Sequence, residues 1–345
     1  GHSMGGAVSL RFAHSYPAQV SRLIMVDAAG ILQRTVFIKY LAKVPVSYEW
    51  LAPYQKSIPG LDSLIRKMAG KADGWTRSML VLMDRLPDVG QMMMSSDLAK
   101  EYLYKDNSTL NAALGLVYED FSRAVHELEV ATHVIWGDAD TVAPVRTGKV
   151  LANVMPNAQL HIIQGAGHVP MTDNFDGFMQ TLDASLEQAP VARQAQKQLS
   201  EVKRKPVISK TLNCAGKNNR TYTGHYRMVR MENCRGVVLR NLIAESIELH
   251  ESEVTLENVE ISSGDAGLTV YDSVVVATLL TVNARTGMQV GGSYLDIAGA
   301  NFVVSEEVVD VVGDSQLYFS LSETGQAKKE MSMHGVSLGA PFELN

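Results

Sequence analysis

No apolar run in this chain approaches the roughly 20 residues that a membrane-spanning helix needs, so the sequence offers no transmembrane segment. Positive charge is in short supply. Against 37 Asp and Glu there are 31 Lys and Arg, a net charge of -6 that argues against a nucleic-acid partner, which would want a basic surface. Cysteine is nearly missing, with Cys214 and Cys234 alone. No two histidines have metal-ligand spacing with a third partner nearby, so neither a metal nor a cofactor is expected. The first residue is Gly rather than Met, and no targeting segment is legible. What is plentiful is apolar residues, 46% over 345 positions, enough for two or three cores of ordinary globular character.

The chain divides by pattern into three blocks. Residues 1–187 alternate short β runs with helical stretches. "GGAVSLRFAHSY" has partial helical spacing and is stopped by Pro17. "VSRLIMVDAA", "ATHVIWG" and "AQLHIIQGAGH" read as buried strands, "LNAALGLVYEDFSRAVHEL" as one amphipathic helix and "DNFDGFMQTLDASLEQ" as a closing helix. Continuous apolar strands alternating with helices predict a parallel sheet covered on both faces. Residues 188–206 are polar, carry five basic residues and read as a linker. Residues 207–345 hold short β runs and no convincing helix.

That last block repeats. Ser252, Ser273, Ser293 and Ser315 recur at intervals of 21, 20 and 22, and Leu249, Val270, Val290 and Val311 at 21, 20 and 21. A period near 20 without helices predicts a solenoid of stacked coils. Ankyrin and tetratricopeptide arrays need longer helical units, and the leucine-rich consensus is absent. The expectation is an all-β, right-handed parallel β-helix.

The chemistry is carried by "GHSMGG", residues 1–6. A serine between glycines at a strained turn before a helix is exposed as a nucleophile. The helix start lays its positive end nearby, and the Met4 N–H can face an oxyanion. A serine nucleophile needs a base and a carboxylate to orient that base. "IWGDADTVAP" places Asp140 past the end of one strand, and "IIQGAGHVPM" places His168 past the next. Carboxyl-terminal strand ends are where such sheets place their chemistry.

In these three motifs and their order, residues 1–187 resemble the carboxyl-terminal part of an α/β-hydrolase with a helical cap inserted at about 31–110. The resemblance implies Ser3 as nucleophile, Asp140 as orienting acid and His168 as general base, with Asp138 as rival acid in a turn. Sheets of that family have strands ahead of the nucleophile and a loop there with a second oxyanion donor. Neither is in this sequence, so the expectation is a truncated parallel sheet, inactive as it stands. The cap position implies that Met79, Met83 and Trp75 contact substrate, with His2 and Val169 beside the serine. A lid rich in methionine adapts to irregular apolar ligands.

The reading is an ester hydrolase acting on a small molecule with an apolar acyl part. Two alternatives stand beside it. One is hydrolysis of a carbon–carbon bond in a diketone, since enzymes of that subfamily carry a similar "SMGG". The other is a non-catalytic scaffold whose β-helix carries the function, through contact with polysaccharide or protein. His133 and His161 lie within strands and read as packed residues; His14 and His126 read as surface. Cys214 and Cys234 are 20 apart, one coil, so they could stack on adjacent coils. A disulfide, implying the periplasm or exterior, and two reduced thiols in a cytoplasmic protein stand level.

Overall fold

The computed structural model describes residues 1–32, 115–116, 119–190, 210–313, 315–326, 329–333 and 337–338. The cap expectations at Met79, Met83 and Trp75 lie outside these residues, as does most of the expected linker.

In the first half, three parallel strands form a sheet in the order β1 (Leu23–Val26), β2 (Thr132–Gly137) and β3 (Ala158–Ile163). Every residue of β2 is buried, as its unbroken apolar run requires of a strand covered on both faces. Helix α1 (Met4–Ser15) packs Ala7, Leu10 and Ala13 inward and ends before Pro17. Helix α2 (Ser122–Glu127) is shorter than the amphipathic pattern predicted. The continuous helix is interrupted at residues 119–121, because the Asp120 carboxylate accepts the Ser122 N–H at 2.8 Å, an Asx turn that competes with helical pairing. Helix α3 (Val145–Val154) follows β2. The short α4 (Pro170–Asp173) and the longer α5 (Phe175–Glu187) follow β3, and the Asn174 side chain caps α5 by accepting from the Gly177 N–H. None of the described helices is long and apolar enough to cross a membrane.

The second half is an all-β parallel solenoid of about six turns. Three parallel ladders run along it. One stacks Val237–Leu239, Val254–Leu256, Val275–Ala277, Leu295–Ile297 and Leu317–Phe319. The next stacks Leu242–Ala244, Val259–Ile261 and Leu280–Val282, with Phe302 lying on Val282 and Val304 on Ala284. The third carries the periodic Leu249, Val270, Val290 and Val311 in direct register. Alternate residues point inward, and their stacked side chains fill the solenoid core.

The periodic serines have a backbone task. The hydroxyls of Ser252, Ser273 and Ser293 accept N–H groups one coil earlier, from Cys234, Ser252 and Ser273 respectively, each at 3.0 Å. The Ser293 N–H continues the series to Ser315 at 3.2 Å. Each of the first three also donates to the carbonyl two residues before it. At this buried corner the chain turns away from ladder pairing, and the serine satisfies an N–H that would otherwise be orphaned. Ser273→Ala is expected to cost about 1–3 kcal/mol, the penalty for one buried unpaired amide. Urea unfolding of the variant checks this; an unchanged midpoint would mean the corner N–H finds another acceptor.

A second corner shows how the solenoid meets the first half. Its residues have positive φ: Asn241 at 48°, Asn258 at 53°, Leu279 at 57°, Gly299 at 65° and Leu321 at 46°. Asparagine and glycine tolerate this conformation, whereas leucine does not favour it. The leucines sit there because Leu279 and Leu321 pack into the same apolar cluster as Val150, Leu151 and Val154 of α3. Leu279 is half-buried and gains less, but fully burying Leu321 contributes about 1.5–3 kcal/mol, against roughly 1–2 kcal/mol for the backbone strain. Burial wins.

Polar contacts fix the same interface. The buried Arg146 of α3 donates to both carboxylate oxygens of Asp296 (2.8 and 3.1 Å), to Thr278 Oγ1 (2.8 Å) and to the Ala277 carbonyl (2.7 Å). His126, expected on the surface, instead faces Glu323 of the solenoid, with Nε2 3.2 Å from Oε1. Cys214 and Cys234 are joined by a disulfide, but not as a stacked pair. The ladder partner of Cys214 is Met231, so the bridge crosses the corner to Cys234, where Cys234 holds the position that serine takes in later coils.

Candidate active site

The segment 1–3 runs alongside β1. The Val26 N–H donates to the Gly1 carbonyl at 2.8 Å and the Ser3 N–H to the Val26 carbonyl at 2.9 Å. The chain then reverses at Ser3 (φ 51°, ψ -124°) straight into α1. A side chain at Gly1 would put its Cβ 2.2 Å from the Gly5 carbonyl oxygen, and one at Gly6 would reach 2.7 Å from Ala28 Cβ. At Gly5 no described atom lies within 4 Å of that position. Among the described residues, the close approaches within this motif that require glycine are therefore at positions 1 and 6. Met4 and Gly5 open α1, where the first N–H groups of a helix have no intrahelical acceptor.

Parallel adjacency of β2 and β3 brings the loops after them together. The Asp140 carboxylate is buried; its Oδ1 accepts the Val142 and Ala143 N–H groups at 2.8 and 2.9 Å. Its Oδ2 lies 2.8 Å from His168 Nδ1, and His168 Nε2 lies 2.9 Å from Ser3 Oγ. The structure thus brings together the three side chains singled out in the sequence, in the order hydroxyl, imidazole, carboxylate. Asp138 is exposed and holds the Gly165 N–H at 2.8 Å, a turn contact away from His168.

Further contacts hold the His168 loop. A Cβ at Gly137 would lie 2.2 Å from the Gly167 carbonyl oxygen, so the strand end must be glycine for the loop to pass. The Gly167 N–H donates to Asp173 Oδ2 at 2.8 Å. His2, expected at the substrate, has Nε2 2.6 Å from the His168 carbonyl; that contact makes Nε2 the donor and braces the loop. Met4 follows the serine and Val169 follows His168; both are exposed. His133 and His161 lie on the neighbouring strands, Nδ1 to Nε2 at 3.0 Å, with burial pushing both below the usual histidine range. Among the described residues no group of His, Cys, Asp or Glu could hold a metal ion.

Sequence reasoning missed Asp27. It follows β1 directly, is fully buried, and its Oδ1 accepts the Gly137 N–H at 2.9 Å. The signal was present in "LIMVD": an acid at the end of an apolar strand, just as Asp140 follows "VIWG". Asp173 was missed too, since its role depends on a loop geometry that no spacing announces.

Fold and site define a class, and comparison with known proteins gives it a family. The profile of the alpha/beta hydrolase family matches residues 1–181, and the chain belongs to that family. An uncharacterized protein of Mycobacterium tuberculosis is 28% identical over 198 residues, 54% of each chain. Lipase 1 of Psychrobacter immobilis is 25% identical over 194 residues, 53% of this chain and 56% of its own length. A 2-hydroxy-6-oxononadienedioate/2-hydroxy-6-oxononatrienedioate hydrolase of Pseudomonas sp. is 27% identical over 182 residues, 52% of this chain and 59% of its own. The chain thus spans little more than half the length of these relatives.

Proposed function

We propose that this chain carries a serine hydrolase site for carboxylic esters with an apolar acyl part. The observation that carries the reading is the unbroken relay from Ser3 Oγ to His168 to Asp140, at 2.9 and 2.8 Å. In this reading His168 Nε2 takes the Ser3 proton as Oγ attacks the ester carbonyl. The Met4 N–H at the start of α1 donates to the oxyanion, and the alcohol leaves with the proton returned by His168. Water then repeats the sequence on the acyl-enzyme. Asp140 holds the Nδ1–H tautomer that leaves Nε2 free to accept. The similarity to lipases supports an apolar acyl group, and Met79, Met83, Trp75 and Val169 are proposed to contact it. The disulfide supports an oxidising compartment, the periplasm or the exterior.

Similarity to the dienedioate hydrolase favours one second reading, cleavage of a carbon–carbon bond next to a carbonyl by the same residues. A paired assay separates them. For this and every activity or labelling measurement below, the protein is used together with the strands and second oxyanion donor expected ahead of Ser3; it is offered a series of p-nitrophenyl esters of rising acyl length and, separately, a 2-hydroxy-6-oxo-dienoate. The ester reading expects turnover that rises with acyl length and vanishes in Ser3→Ala. Turnover of the dienoate alone would move the assignment to carbon–carbon cleavage, and turnover of esters untouched by Ser3→Ala would remove Ser3 from the mechanism.

A further inference from the structure

The acid behind His168 does not stand alone. Asp27 follows β1 and Asp140 lies three residues past the end of the adjacent parallel strand β2, which places their carboxyl groups close enough to interact. Asp27 is fully shielded from solvent, and its backbone takes the strained φ of 43°. Its Oδ1 is occupied by the Gly137 N–H. Its Oδ2 is buried, and no N–H or O–H donor among the described residues reaches it. Asp140 cannot supply a proton and remain the anion that His168 requires. Two ionised carboxylates in contact in a dry site would repel strongly, so one of the pair holds a hydrogen. Asp140 accepts three N–H groups, two from the backbone and one from His168. Asp27 accepts only one.

We propose that Asp27 is a positioning residue of this site: it is protonated and donates its hydrogen to Asp140, so that His168 is oriented by a carboxylic acid–carboxylate pair rather than a lone aspartate. This rests on the hydrolase reading for its catalytic consequence, though the pair itself does not. The groups that bear on Asp27 agree with it. Burial comes first in raising its pKa from 3.8 to about 8, the Gly137 N–H opposes this, and the anionic Asp140 and Asp173 raise it further. The direct consequence is an alkaline limit. As pH rises through about 8, Asp27 ionises, repels Asp140 and loosens its hold on His168.

The linkage has a definite sign. A carboxyl whose pKa is higher in the folded state than in the unfolded chain binds its proton more tightly when folded. It contributes stability below pH 3.8 that is lost as pH rises towards about 8. The buried His133 and His161, with lowered pKa values, act oppositely, losing stability as pH falls, and do so equally in every Asp27 variant.

The test compares the wild-type chain, Asp27→Asn and Asp27→Ala by urea unfolding across pH 4 to 9, with infrared detection of protonated carboxyl groups. The asparagine amide reproduces the protonated acid, accepting from Gly137 and donating to Asp140, but does not titrate. The expected result is a protonated-carboxyl band at neutral pH that vanishes above about 8 in the wild type and is missing from Asp27→Asn. The fall in stability from pH 4 to 8 should be shallower in Asp27→Asn, which stays folded, while Asp27→Ala is destabilised throughout. For ester turnover, Asp27→Asn should keep activity and lose the alkaline decline, whereas Asp27→Ala should lose about tenfold or more at every pH. A neutral-pH spectrum without the band, or the same pH slope in wild type and Asp27→Asn, overturns the pair. These two readouts need no catalysis, so absent turnover in the wild type would count against the hydrolase reading alone.

Discussion

His168→Ala is expected to lower ester turnover by at least about 10³-fold, with KM changed little. The imidazole is the only described group within reach of Ser3 Oγ that can accept its proton, at 2.9 Å, and in the proposed mechanism it also returns that proton to the leaving group. In that mechanism, removing it disables both half-reactions without altering the residues proposed to contact the acyl group. Asp140→Asn is expected to cost a similar amount or less. An amide donates where His168 Nδ1–H needs an acceptor and so turns the ring to the wrong tautomer. Asp138→Asn is the control, expected to cost little, because that carboxylate caps a turn at Gly165 and is exposed. Steady-state kinetics on the three variants decide the matter. A severe Asp138→Asn with a mild Asp140→Asn would transfer the acid's role to Asp138.

Arg146→Ala is expected to destabilise the protein by about 3–5 kcal/mol. The guanidinium is held by Asp296, Thr278 and the Ala277 carbonyl at the junction of the two halves, and Asp296 is only 4% exposed. Truncating the arginine leaves a buried carboxylate without its counter-charge, which costs far more than the net worth of the pair. Asp296→Ala should be comparably damaging, and the double variant should lose less than the sum of the two. The effect should also reach the site, because Arg146 lies in the first turn of α3, immediately after the loop that carries Asp140. Thermal unfolding of the single and double variants measures the coupling. Additive losses would show that the two residues act independently and that the solenoid is held by its apolar contacts alone.

Much of this architecture was readable because it rests on short-range chemistry. "LIMV" and "THVIWG" read as strands buried on both faces, and β1 and β2 fall there; β3 falls in "AQLHII", but its four central residues are only half-buried, because this strand is less covered than the sequence suggested. The solenoid was legible in Leu249, Val270, Val290 and Val311 because one coil equals one step of a ladder. The serine period was visible too, though not its cause, since nothing in spacing says that a hydroxyl will take an amide from the coil before. Ser3, Asp140 and His168 could be picked out because each ends or follows a strand in a loop of small residues.

What escaped the sequence depends on proximity across long stretches of chain. Asp27 and Asp140 meet only because β1 and β2 are neighbours, and the order of strands in a sheet is not written in either strand. Arg146 and Asp296 are 150 positions apart. The helix predicted through residues 119–121 failed because a periodic apolar pattern outweighed a local competitor, the Asp120 side chain. At the solenoid corner, the change from Asn241 and Asn258 to Leu279 and Leu321 marks the coils that meet α3, a signal that becomes readable only once the corner's positive φ is known.

Labelling with a fluorophosphonate tests the central claim most directly, because the reagent requires an activated serine but not the right substrate. The account predicts covalent labelling confined to the peptide that contains Ser3, abolished by Ser3→Ala and strongly slowed by His168→Ala. No labelling, or labelling that survives Ser3→Ala, would contradict it.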